Sequence, residues 1–220
     1  MARLQVKYCG SHSLEDLLCT TNSRADYIGI VFAKESRRRV NPDKAEGWLE
    51  KTRLKYGQKL VGLFVNAPAR DIQRIVEKLP LDVIQCHGSE SVEDVREIRD
   101  LTGLPVWKAL HHDEQTLEAM RSYEGTAGGY IIDCKVKGQW GGTGQSFDWS
   151  SVPGYMKEAR RQGVACFIAG GIDAGNVGEL LRYHPDGIDV SSGIEKNGQK
   201  SRETIRRLEE RIGHYEANLS

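Results

Sequence analysis

Two side chains stand where an apolar run gives way to a loop, and both have proton-transfer chemistry. Cys9 closes the first such run, Leu4-Gln5-Val6, within Lys7-Tyr8-Cys9-Gly10. Asp133 closes Tyr130-Ile131-Ile132. A thiol whose pKa is drawn toward neutrality acts as a base. A carboxyl partly withdrawn from water resists ionisation and acts as an acid. Each also has a plain structural use, because free cysteine is among the most buried residue types and aspartate commonly caps helices and loops. Asp189, in Gly187-Ile188-Asp189-Val190, poses the same choice.

Other polar groups fall at comparable places. Arg37-Arg38-Arg39 follows the run ending at Phe32 and reads either as a solvated basic loop or as a clamp for carboxylate or phosphate. His87 sits in Gln85-Cys86-His87-Gly88, and Lys108 and His111-His112 close a later run. A lone histidine is more often structural than catalytic, so His87 is placed as a lining residue. Three glycine-rich segments are Gly141-Gly142-Thr143-Gly144, Ala169-Gly170-Gly171-Ile172 and Ser191-Ser192-Gly193-Ile194. The last two follow late apolar runs, where bare backbone N–H groups of a barrel bind phosphate.

The elements that must position these groups alternate. Apolar, β-branched runs at residues 4–8, 27–32, 60–65, 81–85, 106–109, 129–133, 166–169 and 187–190 predict strands. Their lack of polar alternation suits parallel strands covered on both faces. Between them, helical patterns open at Ser13 and at Asn41-Pro42, then occupy 67–79, 91–101, 113–123, 153–162, 173–183 and 201–215. Eight strands and eight helices point to a single-domain α/β protein, a (β/α)8 TIM barrel over residues 1–220. A doubly wound open sheet alternates too, so the count alone leaves both. In the barrel, all eight strand ends meet at one mouth, and the polar residues above gather there.

Composition narrows the partners. Of 220 residues, 31 are Lys or Arg and 31 are Asp or Glu, so no net field favours nucleic acid or an anionic membrane. No apolar stretch is long enough to span a bilayer, and no signal-peptide core precedes the first strand. The five cysteines, Cys9, Cys19, Cys86, Cys134 and Cys166, lack metal-site or disulfide spacing. A cytoplasmic protein with free thiols is expected.

Taken together, the motifs resemble a known family. They are Lys7-Tyr8-Cys9-Gly10, Val61-Gly62-Leu63-Phe64-Val65-Asn66, Gln85-Cys86-His87-Gly88, Gly141-Gly142-Thr143-Gly144-Gln145-Ser146-Phe147-Asp148-Trp149 and Asp189-Val190-Ser191-Ser192-Gly193-Ile194-Glu195. The chain closely resembles the phosphoribosylanthranilate isomerases of tryptophan biosynthesis, over essentially its whole length. The resemblance implies an Amadori rearrangement of a phosphorylated small molecule without cofactor or metal. It implies that Cys9 is the general base and Asp133 the general acid. It implies that Arg38, placed by Ser36 and Val40-Asn41-Pro42, is the binder of the anthranilate carboxylate. Substrate contacts are expected from His87, Gly142, Gly170, Gly171, Asp189, Ser192 and Gly193. No nucleic-acid or membrane partner is implied, and the protein is expected as a monomer or homodimer. Lys7 is expected to point away from the mouth.

Three positions depart from the family pattern: Ser11 after Cys9-Gly10, Cys86 in place of leucine, and Cys134 in place of threonine or serine. Cys86 and Cys134 are expected to leave thiols near the mouth. Two other readings stay open. One is a different phosphosugar barrel enzyme, such as a synthase with Lys108 as its acid, or a metal-dependent epimerase using His87 and Asp133. The other is a barrel that binds a phosphorylated metabolite without turning it over.

Overall fold

Every predicted strand forms, and the set closes on itself. The computed structural model describes residues 3–133 and 149–217. Strands β1 (Gln5–Cys9), β2 (Tyr27–Val31), β3 (Lys59–Phe64), β4 (Val83–Cys86), β5 (Val106–His111), β6 (Gly129–Asp133), β7 (Ala165–Ala169) and β8 (Gly187–Val190) pair in that order. All the pairings are parallel, and β8 returns to β1 through Lys7 opposite Asp189. Closure decides between the two alternating architectures, because an open sheet would keep two unpaired edges.

The helices are α1 (Leu14–Thr21), α2 (Pro42–Leu49), α3 (Ala69–Lys78), α4 (Val92–Thr102), α5 (Thr116–Ser122), α6 (Val152–Gln162), α7 (Val177–Leu181) and α8 (Arg202–Ala217). Local chemistry sets their starts. The side chains of Ser13, Asn41 and Ser91 accept from backbone N–H groups of the first turn, and Ser91 with Asp94 completes a capping box. Two helices begin later than their patterns predict. Asp113 Oδ1 accepts from Gln115 N at 2.8 Å, and Asp173 Oδ1 accepts from Gly175 N at 2.7 Å. These side-chain turns compete with the helix and delay α5 and α7.

An unpredicted hairpin follows β8. Its strands are β9 (Glu195–Lys196) and β10 (Gln199–Lys200). Asn197 and Gly198 both have positive φ, 54° and 81°, as a tight hairpin turn requires. Asn-Gly is the strongest short-range hairpin signal.

The walls of the barrel carry two apolar layers. Inside lie Tyr27, Val61, Val83, Trp107, Ile131 and Phe167. Outside, a larger layer including Ile28, Ile30, Leu60, Ile84, Ile132 and Ile188 packs beneath the helices. Cys86 belongs to this outer layer and is fully buried, so it does not lie near the mouth as expected. It sits one residue out of phase with the inward Gln85, and alternate strand residues face opposite sides. Cys134 lies outside the described residues. Ser11 is buried too, within 3.1 Å of Thr20 Oγ1, so its hydroxyl is satisfied on α1.

The interior floor is aromatic. Trp107 packs 4.8 Å from Tyr27 and 4.9 Å from Phe167, centroid to centroid. These rings fit because the neighbouring strand residues lack side chains: a Cβ at Gly129 would stand 2.6 Å from Trp107, and one at Gly187 2.5 Å from Phe167. Gly187→Ala should therefore overpack the floor and destabilise by about 1–3 kcal/mol, read as a lowered Tm. Gly213→Ala, in α8 where a Cβ meets nothing within 4 Å, should raise stability by about 0.5–1 kcal/mol in the same assay.

Candidate active site

The mouth is built upward from β1. Lys7 and Cys9 share parity on one strand, so both face inward. Lys7 is fully buried and its Nζ lies 2.9 Å from Asp189 Oδ2. The expectation that Lys7 points elsewhere is thus corrected: it stands directly beneath the thiol. Burial alone would lower its pKa, but the Asp189 carboxylate beside it outweighs that and holds Lys7 above its ordinary value, as an ammonium. Burial pushes the Cys9 thiol up, against the pull of Lys7 and Lys200. Cys9 is therefore a thiol, next to the small apolar wall of Val31, Ala33 and Leu63. Asp189 is 8% exposed, and its Oδ1 has no hydrogen-bond partner among the described residues.

Only one of the three arginines after β2 turns in. Arg37 and Arg39 are exposed, whereas the Arg38 side chain crosses Gly10, where a Cβ would stand 2.5 Å from Arg38 Cδ. Gly10 has φ +84°, so both the space and the backbone there favour glycine. The Arg38 guanidinium forks onto Glu195, with Nε to Oε1 at 2.7 Å and Nη2 to Oε2 at 2.8 Å. Lys200, from β10, donates to Glu195 Oε1 at 3.0 Å, to the Cys9 carbonyl at 2.6 Å and to the Ser191 carbonyl at 3.0 Å. Sequence reasoning assigned no role to Glu195 or Lys200. Glu195 was visible in its motif, but Lys200 carried no signal, because only the hairpin folds it back.

Across the mouth, Asp133 ends β6 with Oδ2 3.6 Å from His87 Nε2. Gln85 Nε2 donates to His87 Nδ1 at 2.9 Å, which leaves the ring proton on Nε2, facing Asp133. Lys108 is not at the mouth. It faces outward, is buried, and pairs with Glu90 at 3.0 Å while donating to the Gly88 carbonyl at 2.7 Å. Glu90 in turn accepts from Asn66 N and Gly88 N. This strap fixes the loops after β3 and β4, and it removes the candidate lysine acid of a synthase.

The loops after β7 and β8 meet backbone to backbone. A Cβ at Gly193 would stand 1.9 Å from the Ile172 carbonyl oxygen. Gly170 and Gly171 have φ of 97° and 66°. Gly171 and Ser192 are exposed at this rim. Gly142 lies outside the described residues. No group of three or more His, Cys, Asp or Glu able to hold a metal occurs among the described residues.

A closed barrel with a thiol and a carboxyl at one rim, a fixed guanidinium and paired glycine loops defines an acid/base enzyme for an anionic substrate. The comparisons give the particular family. The model of N-(5′-phosphoribosyl)anthranilate isomerase matches residues 6–211. The isomerase of that name from Geobacillus thermodenitrificans is 49% identical over 216 residues, covering 98% of this chain and 96% of that one. The crystal structure of the Thermotoga maritima enzyme superposes with a TM-score of 0.82 at 28% identity, covering 96% and 99% of the two chains. A solved isomerase bound to reduced 1-(o-carboxyphenylamino)-1-deoxyribulose 5-phosphate superposes at 0.78, with 28% identity over 97% and 99%. The chain belongs to the phosphoribosylanthranilate isomerase family.

The electrostatics of Cys9 are open to test in the empty enzyme. Iodoacetamide labelling of Cys9, followed by peptide mass spectrometry, should rise with pH along a curve displaced above that of an ordinary thiol. Lys7→Met should displace it further upward, because it removes a cation beside the sulfur and leaves Asp189 unopposed. A labelling curve centred below the ordinary thiol range would contradict this assignment.

Proposed function

We propose that this single (β/α)8 domain, residues 1–220, carries out its family's reaction with Cys9 as general base and Asp133 as general acid. The reaction converts N-(5-phospho-β-D-ribosyl)anthranilate to 1-(2-carboxyphenylamino)-1-deoxy-D-ribulose 5-phosphate. It is an Amadori rearrangement, an aldose–ketose isomerisation in L-tryptophan biosynthesis. The observation that carries the assignment of roles is the placement of both groups at one rim, with Lys7 under the sulfur.

Asp133 protonates the ribose ring oxygen. The C1–O bond breaks and the anilino nitrogen lone pair forms the iminium. Cys9, as thiolate, removes the C2 proton, and the C2–H electrons move in to give the enolamine while the iminium charge is neutralised. Protonation at C1 and loss of the C2 hydroxyl proton then yield the ketone. Burial disfavours the Cys9 thiolate, so the thiol first gives up its proton to water as substrate binds, and the iminium forming beside it, with Lys7 and Lys200 nearby, supplies the field that holds the thiolate until it takes the C2 proton.

Binding the remote ends of the substrate holds C1 and C2 between acid and base. The phosphate rests on the loops of Gly170, Gly171, Ser192 and Gly193, with Gly142 a further contact. Arg38 takes the anthranilate carboxylate, and the apolar wall beside Cys9 faces the aromatic ring. His87 lines the site and orients Asp133. Asp189 serves through Lys7 in addition to any substrate contact. No cofactor or metal enters these steps, and the enzyme works as a monomer or homodimer. The cytoplasm suits the four free, buried cysteines among the described residues and a biosynthetic role. Among the described residues, no helix is long and apolar enough to cross a membrane.

Purified protein mixed with freshly generated phosphoribosylanthranilate should quench anthranilate-type fluorescence faster than spontaneous hydrolysis does. Cys9→Ser and Asp133→Asn should each lower kcat by about 10²–10⁴-fold. Near-normal turnover in either variant removes that residue from its role. Arg38→Ala should raise KM more than it lowers kcat, as loss of ground-state binding does.

A further inference from the structure

Arg38 already holds a carboxylate, and that carboxylate belongs to the protein. Glu195 takes Nε and Nη2, one edge of the guanidinium. Arginine carries five N–H donors in a rigid plane, so the Nη1–Nη2 edge keeps donors for a second bidentate partner. We propose that Glu195 is a positioning residue: it grips Arg38 by one edge and so presents the other edge to the substrate carboxylate. This rests on the reading of Arg38 as the carboxylate binder and adds the group that aims it.

Several observations converge on Glu195 as an anchor. Its side chain is 6% exposed, and Lys200 Nζ, fully buried, fixes Oε1 at 3.0 Å. Lys200 is itself pinned by the carbonyls of Cys9 and Ser191, so the anchor is referenced to the strand end that carries the base. Burial works against charge on Glu195, but Arg38 and Lys200 outweigh it and hold its carboxyl below the ordinary range. A carboxylate so fully engaged, on a guanidinium whose shaft lies over Gly10, leaves Arg38 few rotamers. Misaiming a bidentate clamp by an ångström is enough to lose its selectivity.

The test measures two ligands against wild type and Glu195→Gln. One is 1-(2-carboxyphenylamino)-1-deoxyribitol 5-phosphate, and the other is the same compound without the ring carboxylate. Wild type should favour the carboxylated ligand. Glu195→Gln should weaken that ligand by about ten- to a hundredfold and leave the other unchanged, as loss of charge-assisted hydrogen bonds does. Glu195→Asp keeps the buried charge but shortens the reach, and it should show the same selective loss even if the glutamine variant folds poorly. Equal weakening of both ligands would make Glu195 a merely structural residue and overturn the proposal. Tighter binding of the carboxylated ligand would make Glu195 a competitor for Arg38 and overturn it too. A wild type indifferent to the carboxylate would overturn the assignment of Arg38 itself, and the anchoring role with it.

Discussion

An ion pair closed inside the barrel, Lys7 with Asp189, is the constraint around which the mouth is arranged. The two residues are register partners across the β8–β1 seam that closes the sheet. Taking either charge alone out of water costs several kcal/mol, so each requires the other. Their pairing puts an ammonium one inward position below Cys9. It also places the thiol where burial and two lysines oppose each other. A thiol that stays protonated unless a further positive charge comes near follows from that balance.

The rest of the mouth is held by polar straps rather than by apolar packing. Loops at strand ends expose backbone groups that must find partners when they are buried. Lys108 and Glu90 satisfy those groups after β3 and β4, and a carbonyl within β5, from outside the barrel wall. Lys200 and Glu195 do so for the ends of β1 and β8, and they bring in the loop after β2 through Arg38. Each strap is a buried lysine–glutamate pair whose remaining protons go to carbonyl oxygens. Full satisfaction of such networks makes them rigid and geometrically specific. Cys9 and Arg38 thus stand on polar supports that lie behind the strand ends. The aromatic cluster completes the arrangement, filling the barrel interior with rings fitted over glycines.

Much of this was legible along the chain. The strand runs at 27–32, 129–133 and 187–190 were readable because strands covered on both faces need unbroken apolar sequence. Ser13, Asn41 and Ser91 announced their helices because capping is local chemistry. Asp113 and Asp173 misplaced two helix starts for the same reason, since their side chains capture the backbone before the helix can. The motifs carrying Cys9, Arg38, His87 and the glycine loops were visible as residue types at strand ends, and their grouping as a family pattern pointed to the reaction. Closure of the barrel was expected from the count of eight and from the family resemblance, although parallel alternation by itself serves open and closed sheets alike.

What the amino-acid order determined by itself was local: which segments extend, which coil, where turns fall, and which strand ends carry a thiol, a carboxyl or glycines. What only the tertiary structure decided was which side chains meet. Lys7 reaches Asp189 across the seam, and Lys200 returns to Cys9 through a hairpin of which the Asn-Gly turn was the only sign. Arg38 alone among three arginines turns inward to fork onto Glu195, more than a hundred and fifty residues later in the chain, whereas Arg37 reaches that carboxylate only at 4.0 Å from the solvent side. Cys86 and Lys108 turn outward by a single step of strand phase. These pairings depend on distances across the closed barrel, which neither periodicity nor composition encodes.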